Sequence, residues 1–363
     1  MDEHGPDPDR RAGLLAIKLR ALVAGHLGVA VERPAEPFGA GAALVVDDAA
    51  WVLIDGPAER RLGAALAWAV RHGASSLDVI ADRGGGTIAR RAQAFDFPVS
   101  VWFAQDRLLL PVVPEVVERV EPQLRHLEYV EAIQAAGATA NVEHGVVTGE
   151  VRGLEVCRVV DEPTTGNLVD APEGSPGPDH DRPAPSDGAH LEVGVGANDR
   201  EAFRLVHGDE PAPAALARVV AAVTEHRSSA TARHPLNRMA PERFLRWRAQ
   251  LDPSSLGLRS LAPAEPPVVR RSMKQAEPCV AHGVDHEGGR VLAVFSAGVD
   301  LDLAPFVADV LVAEGIAHGA PPDADVVVVL PERDLVPITR DLLDLISRPV
   351  RTGTLDGAAP AAQ

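Results

Sequence analysis

Four carboxylates sit in the middle of the chain, in or beside strand-like runs: Glu150 in GEVRG, Glu155 in GLEV, Asp161 at the end of CRVVD, and Glu192 in HLEV. Oxygen ligands on neighbouring strands are the donor set that hard divalent cations take, and a cation so held can activate water for hydrolysis. Glu150, Asp161 and Glu192 are therefore candidate catalytic and metal-ligating residues for Mg2+ or Mn2+. The competing reading makes these acids exposed strand carboxylates paired with Arg152 and Arg158. Period-2 alternation puts Glu155 on the face opposite Val156 and Arg158.

Other residues carry possible chemistry with a plainer alternative. Asp199, Arg200 and His207 follow a buried strand in GANDREAFRLVHGD, where α/β sites often lie, but Asn198 or Asp199 can equally cap a short helix. Asp300, Asp302 and Asp309 fall in GVDLDLAPFVAD, where acids at a helix start favour the dipole. Gly84, Gly85 and Gly86 precede a helix and can cradle a phosphate, but they lack the spacing and lysine of the known phosphate loops. Residues 227–274 hold ten basic residues against three acids, with Phe244 and Trp247 interleaved. Arg243, Arg246 and Arg248 are the candidate nucleic-acid contacts there. The alternative use of this basic segment is internal pairing with the chain's own acids.

The whole chain opposes that last role. Its 363 residues carry a formal charge of -17, which disfavours nucleic acid and anionic membrane surfaces. Of 35 basic residues only Lys18 and Lys274 are lysines, the usage expected of a high-GC bacterial genome. Aromatic residues are 4%, so Ala, Val and Leu must form the cores. Cys157 and Cys279 have no metal-ligand spacing and sit in apolar runs, as buried reduced thiols do. No apolar run is long enough to span a membrane and no signal core opens the chain, so a cytoplasmic protein is expected. The partner expected is a protein or a second copy of the chain.

The elements that position these residues read as an α/β fold of duplicated modules. A tail at 1–12 precedes a first module at 13–113: a helix at 13–27, a short strand at 29–33, two strands over 42–55 around Asp47–Asp48, a helix at 58–72, then strand, helix and strand to a terminal hairpin. A second module at 235–355 repeats the order, opening with a helix at 241–251 and a hairpin around Glu287–Gly288–Gly289, and a tail follows at 356–363. Between them, 124–227 is an α+β unit with a Pro/Gly/Asp-rich flexible loop at 162–189.

The α-β-β-β-α-β-α-β order is similar to the core of the restriction-endonuclease-like superfamily, which includes archaeal junction resolvases and tRNA-splicing endonucleases. GEVRGLEV resembles the Gly-Glu stretch of the resolvase-like nucleases, and LEVGVG resembles their Glu-Val-Lys strand. The resemblance implies that Glu150 matches the first acid and Glu192 the acid of the triplet. Gly194 stands where the triplet has Lys, and Arg152 where a second acid is usual. Neither flanking module carries the triplet, since their third strands read WVLID and VLAVFSAG. The segments HPLNRMAPERFLRWR and GVDLDLAPFVAD also resemble an actinobacterial family of conserved proteins. The expectation is a non-catalytic interaction or scaffold protein of degenerate nuclease-like modules. The alternatives are a divergent metal-dependent nuclease for DNA or RNA, and a nucleic-acid-binding protein using 227–274.

Overall fold

The computed structural model describes residues 8–161, 188–207, 212–228, 234–270, 277–315 and 324–355. The expected tail at 356–363 and almost all of the loop at 162–189 lie outside them, as does Lys274.

The chain is mixed α/β, and its described residues form three sheets. Its first elements are α1 (Pro8–Leu27), β1 (Glu36–Phe38), β2 (Gly41–Val46), β3 (Ala49–Pro57), α2 (Leu62–Arg71), β4 (Ser76–Arg83), α3 (Gly85–Ala92), β5 (Val99–Gln105) and β6 (Leu108–Pro111). The six strands form one sheet in sequence order. The β3/β4 and β4/β5 pairs are parallel and the rest antiparallel. The parallel strands need crossover helices, which α2 and α3 supply. Helix α1 buries Leu19, Leu22 and Val23 against Leu44, Trp51, Leu53 and Ile80 of the sheet. Each such side chain contributes roughly 1.5–3 kcal/mol by leaving water.

Three sequence expectations shift here. The expected tail is helical from Pro8. VAVER at 29–33 is not a strand: Gly28 ends α1 at φ 70°, and the short β1 forms further on, at Glu36–Phe38. The next helix starts at Leu62, because Pro57 ends β3 and Ala58–Arg61 turn before the helix begins.

The middle elements are α4 (Leu124–Leu127), α5 (Val130–Ala135), β7 (Thr139–Glu143), β8 (Val146–Val151), β9 (Leu154–Asp161), β10 (Ala189–Val193), α6 (Ala197–His207), α7 (Ala212–His226), a 3-10 turn at Pro235–Arg238 and α8 (Pro241–Leu251). The four strands make an antiparallel sheet in the order β10-β9-β8-β7. One face is apolar: Val147, Val156, Cys157, Val159, Leu191 and Val193 pack with Ile133 of α5 and Leu216, Val220 and Val223 of α7.

The last elements are β11 (Leu258–Ala264), β12 (Cys279–Asp285), β13 (Arg290–Phe295), α9 (Leu303–Ala313), β14 (Ala324–Leu330), α10 (Pro337–Leu343) and β15 (Val350–Thr354). Their sheet repeats the first one's pattern: β12/β13 antiparallel, then β13/β14 and β14/β15 parallel. β14 reads ADVVVVL and is buried at nearly every position, as a parallel strand covered on both faces should be.

These elements group into two compact units. The two flanking sheets belong to one, and residues 119–251 with 263–276 to the other. The helix at 241–251 therefore belongs with the middle unit and does not open the second module. Within the first unit α3 packs on α9, and α2 and α9 each meet α10. The segment after α3 pairs with the segment after α10. Phe95 bridges Ile346, Asp96 N–H donates to Leu345 O, and Ser347 N–H donates to Ala94 O, both at 2.9 Å.

Candidate functional site

The polar face of the middle sheet holds most of the candidate residues. Register places Thr148, Arg158 and Glu192 side by side on β8, β9 and β10. A bulge lies between Gly149 and Glu150: Gly149 pairs with Cys157 but Glu150 with Glu155, so β9 carries one extra residue. The extra residue rotates Glu155 onto the same face as Arg158, against the strict alternation expected. The Nε of Arg158 donates to Glu155 Oε1 at 2.9 Å.

Helix α8 supplies the counter-charges for β7 and β8. Arg243 and Arg246, three residues apart, share one side of the helix. Arg243 donates to both Glu150 and Glu143, and Arg246 Nη2 donates to Glu150 Oε2 at 3.3 Å. Both arginines are buried. Burial pushes the Glu150 carboxyl up, but Arg243, Arg246 and a hydrogen bond from Asn141 outweigh it. Its pKa lies below the usual carboxylate range. Arg227, fully buried, is held by carbonyl oxygens. Its guanidinium donates to Arg152 O, Leu236 O, Met239 O and Ala240 O.

The three candidate metal ligands have separate partners. Glu150 sits in the arginine pair just described. Glu192 lies 3.4 Å from Arg200, whose Nη1 also donates to Glu155. Asp161 is exposed at the end of β9, bonded to Arg125 and to His126 Nε2 at 2.8 Å. The His126 bond holds its carboxyl below the usual range, against some desolvation and with help from Arg125. Among the described residues no three His, Cys, Asp or Glu side chains gather as a metal site requires.

The nucleic-acid candidates also face inward. Arg243 and Arg246 are engaged with Glu143 and Glu150, and Arg248 is half-buried. Arg270 pairs with the buried Glu242. Burial pushes the Glu242 carboxyl up, and Arg270 only partly offsets it.

The remaining candidates are used locally. Asp199 Oδ2 accepts from Val195 N–H at 2.6 Å, closing the start of α6. The side chain of His207 lies outside the described residues. Gly84–Gly86 offer no empty cradle: a Cβ on Gly84 would meet Glu59, and one on Gly86 would meet Glu115. Asp302 begins α9 but accepts from Gly63 N–H of α2 at 2.9 Å. Asp309 is fully buried and accepts from both Arg90 and Arg91. Neither cysteine is in a disulfide and both are buried, and burial pushes the Cys157 thiol up to about 12, so it is inert as a nucleophile.

Sequence reasoning named Glu150, Arg243 and Arg246 but not their relation. It also missed the cleft of about 1000 Å3 on this unit, lined by residues of β7–β9, the start of α6, α7 and the 236–239 and 269–270 segments. Its apolar floor includes Phe203, Val219, Leu236 and Met239, which lie on the outside of the unit's core. No contiguous motif marks it, since its wall comes from six separate stretches of chain.

No family model, no curated protein and no solved structure matches this chain. No helix among the described residues is long and apolar enough to cross a membrane.

Proposed function

We propose that this chain is a non-catalytic interaction or scaffold protein rather than a metal-dependent nuclease. The observation that carries the reading is the burial of Glu150 against Arg243 and Arg246. A first-acid ligand must present free lone pairs to a cation in an open site. Glu150 directs both oxygens at guanidiniums of its own chain. Such a pair fixes how α8 docks on the sheet, which is a structural use of charge. The order of strands and helices in the flanking sheets supports restriction-endonuclease-like modules, and the buried apolar third strands support modules without that superfamily's chemistry. Two buried cysteines outside any disulfide suit a reducing cytoplasm. The partner in this reading is another protein or a second copy of the chain.

The test is a nuclease assay on single- and double-stranded DNA and RNA with Mg2+ or Mn2+, beside a Mn2+ titration of the full chain. The expected results are no cleavage and no saturable binding. Divalent-dependent cleavage that disappears in Glu192→Ala would overturn the reading.

A further inference from the structure

We infer that β15, the outer strand of the last sheet, pairs antiparallel with β15 of a second copy of the chain. A second copy is one of the partners of the scaffold reading, on which this assignment rests, and β15 is the surface it meets.

The two flanking sheets have four outer strands, β1 and β6 in one and β11 and β15 in the other. An outer strand offers a row of backbone N–H and C=O groups to any extended chain. Proline blunts such an edge, because it has no N–H to offer. Three of the four strands carry one: Pro37 in β1, Pro111 in β6 and Pro263 in β11. β15 reads VRTGT and carries none, since Pro349 stands just before it. Among the described residues β15 pairs with β14 alone. Its Arg351, Thr352 and Thr354 are exposed. Val350, Thr352 and Thr354 are β-branched, the type that favours extended pairing. Of the four edges, this one is built to take a further strand.

The residues of β15 select a second copy of itself as that strand. A two-fold axis at Thr352 sets Thr352 against Thr352 of the second copy, Val350 against Thr354, and Arg351 against Gly353. An isologous contact of this kind repeats each pair on both sides of the axis. Thr–Thr and β-branched pairs are favourable when directly opposite. The strand's one charge then faces a glycine, so no like charges oppose each other. Leu256, Val327 and Val329 lie around Gly353, and these apolar side chains suit the stem of the second copy's arginine. Arg351 already has Asp325 of β14 at 3.5 Å, so its charge does not call for an acidic peptide. Moving the axis to Arg351 would set two guanidiniums against each other. Moving it to Gly353 would lose the Thr–Thr pair.

Five residues make a short seam. Such a pair belongs with the weak interfaces that bury under about 1,200 Å2. Two chains of formal charge -17 also repel until salt screens them.

The experiment is sedimentation equilibrium of the full chain in about 0.3 M salt, from about 1 μM to 1 mM. The expected result is a mass that rises reversibly toward that of two chains. Thr352→Lys, at an exposed position and checked for folding by circular dichroism, sets two ammonium groups against each other and should weaken association about fivefold or more. Cysteine variants read the register, because Cys157 and Cys279 are buried. Thr352→Cys should give a covalent dimer on mild oxidation, since directly opposite residues lie within disulfide reach. Thr354→Cys, about 14 Å from its mate in this register, should not. A monomer across the whole range, unchanged association of Thr352→Lys, or equal crosslinking of the two cysteine variants would each overturn the inference. Cleavage in the nuclease assay would instead overturn the scaffold reading, so the two failures are told apart.

Discussion

Arg152 and Arg227 exchange hydrogen bonds: the Nη1 of Arg152 donates to Arg227 O at 2.6 Å, and the Nε of Arg227 donates to Arg152 O at 2.9 Å. Each guanidinium also lies over a ring of α8, Arg152 over Trp247 and Arg227 over Phe244. The β8–β9 turn, where Arg152 has φ 50°, is thus tied to the end of α7 and to α8. Burial lowers the Arg227 pKa to about 10, while Glu242 and Glu150 help keep it charged.

Arg227 is therefore expected to be among the most sensitive positions in the middle unit. Arg227→Met removes the donor of four carbonyls, each worth about 1–3 kcal/mol when buried without a partner. Some relaxation will reduce the sum, and a loss of about 4 kcal/mol or more is expected. Arg227→Lys keeps the charge but not the rigid fork, and most of the loss should remain. Urea unfolding followed by Trp247 fluorescence measures both. A lysine variant within about 0.5 kcal/mol of the parent would show that the fork is not what matters.

Two buried glutamates should respond to pH in opposite senses. The Glu150 pKa is depressed in the folded state, so its contribution is present above the unfolded carboxylate range and is lost as pH falls through the folded value. The Glu242 pKa is raised, so its contribution is present below that range and is lost as pH rises through the folded value. Glu150→Gln should then destabilise the chain near pH 7, with the difference shrinking below about pH 4. Glu242→Gln should look progressively better than the parent as pH rises. Denaturation midpoints for both variants across that range decide the matter, and parallel curves would refute the assignment of opposite shifts.

What the sequence made legible, and what it hid, follows from distance along the chain. The central strands of both flanking sheets were readable because continuous apolar runs such as Val326–Leu330 have few other uses. The Asp47–Asp48 turn was readable because its chemistry is local. Arg243 and Arg246 were readable as a basic helix face but not as partners of Glu143 and Glu150, which lie about a hundred residues earlier. Nothing local says whether such a face meets a phosphate or a glutamate. Glu155 and Arg158 were placed on opposite faces because alternation assumes an unbroken ladder, and one bulge residue reverses that. Asp302 was readable as an acid at a helix start, yet its acceptor role belongs to another helix.

The buried triad that joins α3 to α9 should be costly to break and cheap to replace. Arg90 and Arg91 both donate to Asp309, which is wholly buried. Asp309→Ala leaves two buried guanidiniums short of their acceptor, and a loss of about 3–5 kcal/mol is expected. Replacing Arg90, Arg91 and Asp309 together by Met, Leu and Leu removes the charges along with their desolvation cost, and should recover most of that loss. Thermal unfolding followed by Trp51, Trp68 and Trp102 fluorescence compares the two. A triple variant no more stable than the single one would mean that the triad's geometry, not its charge balance, holds these helices.

The start of α2 gives the sharpest steric prediction. Gly63 is its second residue, and a Cβ there would stand 1.9 Å from Leu301 O and 2.3 Å from Leu301 C. The same residue's N–H donates to Asp302 Oδ1, and α2 has no side-chain cap of its own. Glycine to alanine in a helix ordinarily stabilises by up to about 1 kcal/mol. At Gly63 the sign should reverse, because the obstructing atoms are backbone and cannot rotate away; a net loss of about 1–3 kcal/mol is expected. Gly13 in α1, where an added Cβ would meet nothing within 4 Å, is the control, and Gly13→Ala should stabilise by a few tenths to about 1 kcal/mol. Opposite shifts in melting temperature for the two alanine variants are the expected outcome. Stabilisation by both would mean that the approach of Leu301 to α2 is looser than a backbone contact allows.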